Sequence, residues 1–246
     1  METLELVRTV SPVVRKLGAA WYFTPETMQV GAELGLDGFR FYFLGRGGVL
    51  GDVEWPVVHA AFGYFEPSLL EKMWTSGSAR ARPRDAARAH LRACAEHGRR
   101  HLSDVDGLGA FCEAAEAVVR EARRDPAGLS LFAGVASEPL PDDLPGRAMV
   151  VTAVLRELRG SAHLLAVAAS GLPTPVAHRI SRPDDMALFG WGPGSVPEPT
   201  AADRAAHRAA EELTDQMVGR FYAVVGGDAG ATLVDVSARM LAAAGS

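Results

Sequence analysis

Apolar residues recur along most of this chain at helical spacing, and proline, glycine and acid punctuate the intervals between them. The clearest stripe is Phe111, Ala115, Val118, Val119 and Ala122, which predicts a helix over Asp106–Arg124 with one buried face. Thr24-Pro25-Glu26 reads as an N-cap, a proline in the first turn and an acid, so a helix opens there and stops near Gly35. Trp55–Phe65 and Ser68–Trp74 read as two short helices parted at Pro67, followed by a polar hinge at Thr75–Arg84. Asp85–Leu102 is an Arg- and Ala-rich helix. Arg147–Arg159 is helical and closes at Gly160, and a second helix runs over Ser161–Ser170. Helices at Thr200–Val225 and Gly230–Ala244 end the sequence.

Two stretches break this pattern. Ser137–Pro145 (SEPLPDDLP) reads as a linker, and 183–199, with Pro183, Pro193, Pro197, Pro199 and the run FGWGPGS, reads as loop or a short ribbon. The pattern predicts a mainly α protein, a multi-helix bundle with one or two helix-turn-helix or winged-helix-like units and little strand. Its parts are an aromatic-rich helical subdomain at 1–75, a helical hairpin with an Arg-rich helix at 76–140, and a winged-helix-like subdomain at 141–246, unless all three form one integrated domain.

An internal likeness supports the helix-turn-helix expectation. QVGAELGLDGFRFYF, from Gln29, and LAVAASGLPTPVAHRI, from Leu165, each join a small-residue helix to a Gly-Leu turn, Gly35-Leu36 and Gly171-Leu172. Glycine permits the tight turn and the leucine behind it fills the angle between two helices. In the second unit Thr174–Ser181 is the expected recognition helix, offering Thr174, His178, Arg179 and Arg182 toward a DNA groove, with a wing hairpin at Met186–Pro199. That wing contains Asp184, Asp185 and Glu198 nearby and no cation, whereas phosphate contact requires cations.

Composition narrows the classes. With 246 residues, 48% apolar and 22% charged, the chain has ample core volume and no signature of disorder. A net charge of −5 disfavours non-specific attraction to nucleic acid or an acidic membrane. Cys94 and Cys112 form no C-x-x-C pair, the N-terminal run carries charges throughout, and no apolar stretch is long enough to span a bilayer. A cytoplasmic location without a membrane partner is the expectation. Twelve of the 18 aromatic residues fall before residue 75, which places any aromatic ligand pocket there.

Four sets of residues are candidates for chemistry. Trp21, Tyr22, Arg46, His59, Tyr64 and His163 are the candidate ligand-binding residues, with His59 and His163 as candidate acid–base groups near neutral pH. Arg46 sits in Gly45-Arg46-Gly47-Gly48-Val49-Leu50-Gly51, which is neither a phosphate-binding Gly-Lys-Ser/Thr loop nor a dinucleotide fingerprint. A buried arginine there needs Asp52, Glu54 or a bound anion. His90, Cys94, His97 and His101 share a helix face and are weak candidates for a metal or haem, opposed by the surrounding arginines and by Gly98. No cofactor motif is present, and none is assigned. No nucleophile signature such as G-x-S-x-G occurs either.

The runs YFTPE, GFRFYFLGRGGVLGDV, WPVVHAAFGYF and LRELRGSAHLLAV followed by SGL resemble an actinobacterial group labelled SCO-type helix-turn-helix proteins, similar to MarR-type winged helices. The resemblance covers about Val7 to Val225 and implies a helical fold and ligand-responsive regulation. Three functions stand open. The first is a winged-helix-type regulator that binds an apolar small molecule with an anionic or polar end, and contacts DNA as a homodimer. The second is a cofactor-independent or metal- or haem-assisted enzyme of secondary metabolism that has lost DNA. The third is a protein that sequesters its ligand.

Overall fold

The computed structural model describes residues 1–244, and twelve α-helices with no strand account for the regular structure among them. In chain order they are α1 (Thr3–Leu17), α2 (Pro25–Glu33), α3 (Gly38–Gly47), α4 (Trp55–Phe62), α5 (Pro67–Ser78) and α6 (Pro83–His101). They continue with α7 (Leu108–Ala122), α8 (Ser130–Ala136), α9 (Leu144–Ala169), α10 (Thr174–Ser181), α11 (Ala201–Tyr222) and α12 (Gly227–Ala244). Short 3-10 turns lie at Gly48–Leu50 and Pro183–Asp185.

The long helix α9 organises the rest. Met149, Val150, Val151, Thr152, Val154, Leu155 and Leu158 are all buried, so this helix is apolar around most of its circumference and is covered by α1, α6, α7, α8 and α11. The sequence predicts a break at Gly160, and there is none. A glycine inside a helix costs about 1 kcal/mol relative to alanine. Burying Leu158, Ala162, Ala166 and Val167 on either side recovers more than that, at about 1.5–3 kcal/mol for each large side chain. The hinge at Thr75–Arg84 is shortened for a similar reason. Helix α5 runs on to Ser78 because Trp74 and Gly77 are buried, and Trp74 Nε1 donates to the Val53 carbonyl at 3.0 Å.

Helix α1 lays Leu6, Val7, Val10, Val14 and Leu17 against α9, α11 and α12, so the start of the chain packs on its end. One apolar core runs from Leu6 to Ala244 through all three predicted segments. A smaller core of Ala166, Val167, Leu172, Val176, Ala177, Val196 and Ala210 lies beneath α10.

Both predicted Gly-Leu turns form. Gly35 has φ 72° and Gly171 φ 70°, a region costly for any residue with a Cβ. Leu36 and Leu172 behind them are buried. The winged part of the expectation is corrected: 183–199 contains no strand and makes no hairpin. Its prolines cannot donate ladder hydrogen bonds, and Gly190 and Gly194 take positive φ. The segment is instead a strap tied to the N-terminal half. Phe189 stacks on Phe65 at 4.2 Å, Glu66 N–H donates to the Phe189 carbonyl at 2.9 Å, and Trp191 Nε1 donates to the Tyr64 carbonyl at 2.8 Å.

Close backbone approach at Gly48 locks the first 3-10 turn to α6. A Cβ there would stand 2.0 Å from the Pro83 carbonyl oxygen, which belongs to backbone and has no rotamer to yield. Gly48→Ala is expected to destabilise by about 1–3 kcal/mol or more. Urea unfolding with an unchanged slope but a lower midpoint would register this, and an unaltered midpoint would show that the turn is loosely held.

Candidate anion-binding cavity

Arg46 ends α3 inside the aromatic layer and needs a counter-charge. Neither Asp52 nor Glu54 supplies it. Glu157, in the middle of α9, does: Arg46 Nε donates to Oε1 and Nη2 to Oε2, both at 2.8 Å, in a bidentate pair. The expectation of an internal salt bridge holds in kind, but its partner is 111 residues away, on α9. Arg156 Nη1 also donates to Glu157 Oε1 at 2.7 Å, and Tyr22 OH donates to the same oxygen at 3.4 Å. The Arg46 guanidinium lies 4.4 Å from the Phe62 ring centre and that of Arg156 lies 5.1 Å from Tyr22. Burial pushes the Glu157 carboxyl up, yet the charges of Arg46 and Arg156 prevail and hold it down at about 2. Two guanidiniums share one carboxylate, so the cluster keeps a net positive charge.

Above this cluster lies a cavity of about 150 Å³. Its cationic lining consists of Arg15 from α1, Arg46 from α3, Arg156 and Arg159 from α9, and Arg182 just after α10. Glu211 of α11 is the one lining carboxylate. Val14, Ala61, Phe62, Phe65, Leu131 and Phe189 supply an apolar wall, and Tyr64, His163 and His178 add polar groups to it. Arg15 has no ion-pair or hydrogen-bond partner among the described residues. Its pKa is lowered by burial and by the charges of Arg182 and Arg159. His163 and His178 are each held at about 4, by burial first and then by neighbouring arginines, and are neutral at pH 7.

Six buried side-chain polar atoms lack a hydrogen-bond partner among the protein's described groups, and four belong to this cavity: Tyr64 OH, Arg156 Nε, Arg159 Nε and His178 Nε2. Buried polar atoms in folded proteins are nearly always paired, because an unmade bond costs about 1–3 kcal/mol. Their concentration around one cationic space makes it the candidate site.

Of the ligand-binding residues expected from the sequence, Arg46, Tyr64 and His163 are brought together here. Trp21 and Tyr22 are not. They face a space of about 20 Å³ on the other side of the Arg46–Glu157 pair, beside His90. His59 takes no part: its Nε2 is bonded to the Phe65 carbonyl at 3.1 Å, closing the turn after α4. Of the metal or haem candidates only His97 and His101 meet, with ring centres 4.4 Å apart, and the four do not converge on one point. His90, Cys94 and His97 are buried while His101 is exposed, and the face they share extends for roughly 16 Å along α6 at 1.5 Å per residue. His90 packs between Trp21, Tyr22 and Phe41, where burial and then Arg46 hold it at about 3.

Arg15, Arg156, Glu157, Arg159, Arg182, His207 and Glu211 were not expected at the cavity or beside it, except that Arg182 was assigned to DNA. A signal for Arg156, Glu157 and Arg159 does exist. Arg156-Glu157-Leu158-Arg159 interrupts an otherwise apolar helix, and charges so placed need partners.

The residues expected to face DNA divide. Thr174 is half-buried at the start of α10. His178 is only 5% exposed and turns into the cavity, its ring 4.0 Å from Phe189, so the groove-facing position expected of it is corrected. Arg179 donates to the Val196 carbonyl and to Glu198, and Arg182 lies 3.7 Å from Asp185 while also lining the cavity.

A bundle of helices carrying two glycine-leucine-turned helix pairs defines a helix-turn-helix protein. A family model described as the helix-turn-helix family matches residues 7–186, which include both turns, and the chain belongs to that family. No curated protein and no solved structure matches it. No helix among the described residues is long and apolar enough to cross a membrane.

Proposed function

We propose that this protein is a receptor for a small organic anion, a single-ring aromatic carboxylate, and that its second helix-turn-helix reports occupancy to DNA. The unpartnered polar atoms gathered around the five-arginine cavity carry this reading. A carboxylate accepts charge-assisted bonds from guanidinium groups, and the ring lies against Phe62, Phe65 and Phe189. A space of about 150 Å³ is of the size that accepts benzene in an engineered cavity.

Ala177, His178, Ser181 and Arg182 form one wall, so a ligand that gathers Arg182 acts directly on α10. Membership of the helix-turn-helix family supports DNA as the output. Arg179 must first leave Glu198, but that carboxylate is 80% exposed. Such a pair is worth about 0–1 kcal/mol and yields readily to a phosphate.

Titration calorimetry with benzoate and with neutral benzamide tests the reading. Benzoate is expected to bind and benzamide to fail. Arg15→Ala is expected to weaken benzoate about tenfold, corresponding to the loss of one charge-assisted bond, while leaving the fold intact because Arg15 has no structural partner. Equal binding of benzamide would remove the anion reading. DNA retained from a random pool at low salt and released by benzoate would support the regulatory output.

A further inference from the structure

We propose that His163, His207 and Glu211 form a binding site for one divalent transition-metal ion at the edge of the cavity. One ligand atom from each lies within 4.8 Å of the other two. His207 and Glu211 are four residues apart on α11 and share a face, and His163 reaches them from α9.

The hydrogen bonds around them aim the donors. Thr214 Oγ1 donates to the Ala210 carbonyl at 2.7 Å, so toward His163 Nδ1, at 3.0 Å, it accepts. The His163 proton therefore sits on Nδ1, and the Nε2 lone pair points toward Glu211 Oε1 at 3.7 Å. Two acceptors face one another, an arrangement that a cation between them relieves. Arg159 Nη2 holds the other carboxylate oxygen, Oε2, at 2.7 Å, which leaves Oε1 free. Ser181 Oγ lies 2.8 Å from His207 Nε2 and orients that ring. Histidine fixed through its second nitrogen and a carboxylate held by a neighbour are the supports that metal ligands receive in known sites.

Two histidines and one carboxylate with an open position toward a cavity suit zinc as three protein ligands, or a non-haem iron. All three side chains are half-buried, so they have room to close on an ion. Arg159 and Arg15 nearby oppose a bare cation, and an anion in the cavity would offset that charge. The site itself rests on the donor geometry and stands whether or not the cavity binds benzoate.

The test is titration of the EDTA-treated protein with Co²⁺, followed by visible absorption and calorimetry. One equivalent is expected to bind, with ligand-field bands that Zn²⁺ displaces. His207→Ala and Glu211→Gln are each expected to weaken Co²⁺ roughly 100-fold, with far-ultraviolet circular dichroism unchanged, and His101→Ala is expected to have no effect. Absence of saturable Co²⁺ binding, or binding undiminished in both ligand variants, overturns the site. Benzoate binding measured on the same EDTA-treated protein reports on the anion receptor alone, so the two readings can fail separately.

Discussion

Glu157→Gln is expected to lower the unfolding free energy by about 3–5 kcal/mol. The carboxylate neutralises one of two buried guanidiniums and satisfies four hydrogen bonds, from Arg46 Nε and Nη2, Arg156 Nη1 and Tyr22 OH. Glutamine keeps the volume but removes the charge, leaving Arg46 and Arg156 to repel each other within the aromatic layer. A comparison inside the same molecule isolates burial as the cause. Arg147 and Glu116 form an equally bidentate pair, at 2.6 and 2.9 Å, where the arginine side chain is 31% exposed. Water screens that pair, and Glu116→Gln is expected to cost about 0–1 kcal/mol. Urea unfolding of both variants at pH 7 makes the comparison. Equal losses would mean that the Glu157 cluster is not shielded from solvent and does not hold α3 to α9.

Mild acid is expected to unfold the protein, with stability falling as pH drops below about 6.5 and little change above pH 7. Burial holds His90 at about 3 and His97, His163 and His178 at about 4, all below the ordinary 6.5. Between pH 6.5 and 4 the unfolded chain therefore binds protons at four histidines that the folded chain keeps neutral. The unfolded state binds more protons, so stability rises with pH across this window, by up to about 1.4 kcal/mol per pH unit for each histidine. Glu157 acts in the same direction over a lower range. Its folded value near 2 lies below the ordinary 4.5, so its contribution is complete above 4.5 and is lost as pH falls toward 2. Urea midpoints at pH 8, 7, 6 and 5 measure the effect. A flat profile from 7 to 5 would show that these histidines are wet or already charged.

The elements that could be read along the chain are those set by local chemistry. Thr24 caps α2 by accepting from Thr27 N–H, and α11 opens after Thr200, which closes a reciprocal capping box with Asp203. Gly35 and Gly171 mark their turns because a positive φ excludes side chains at those two places whatever surrounds them. Where long-range packing outvoted local preference, local reading failed. Gly160 continues α9 because both flanks of the helix are buried, and α8, only seven residues long, exists because Leu131, Phe132 and Val135 are covered by α9 and the Gly48 turn.

The binding residues follow the same division. By itself the sequence determined that the protein is a helical bundle of the helix-turn-helix kind, that its aromatic residues cluster early, and that Arg46 must meet a negative charge. Each of these depends on residue type and short spacing. Only the tertiary structure decided that the charge is Glu157, that Tyr64 faces His163 and His178, and that Arg15 joins Arg159 and Arg182 around one space. Residues separated by up to 200 positions, Ser11 and Glu211, meet there because α1 packs beside α9 and α11. An electrostatic field is summed over positions in space, and no spacing along the chain encodes that sum.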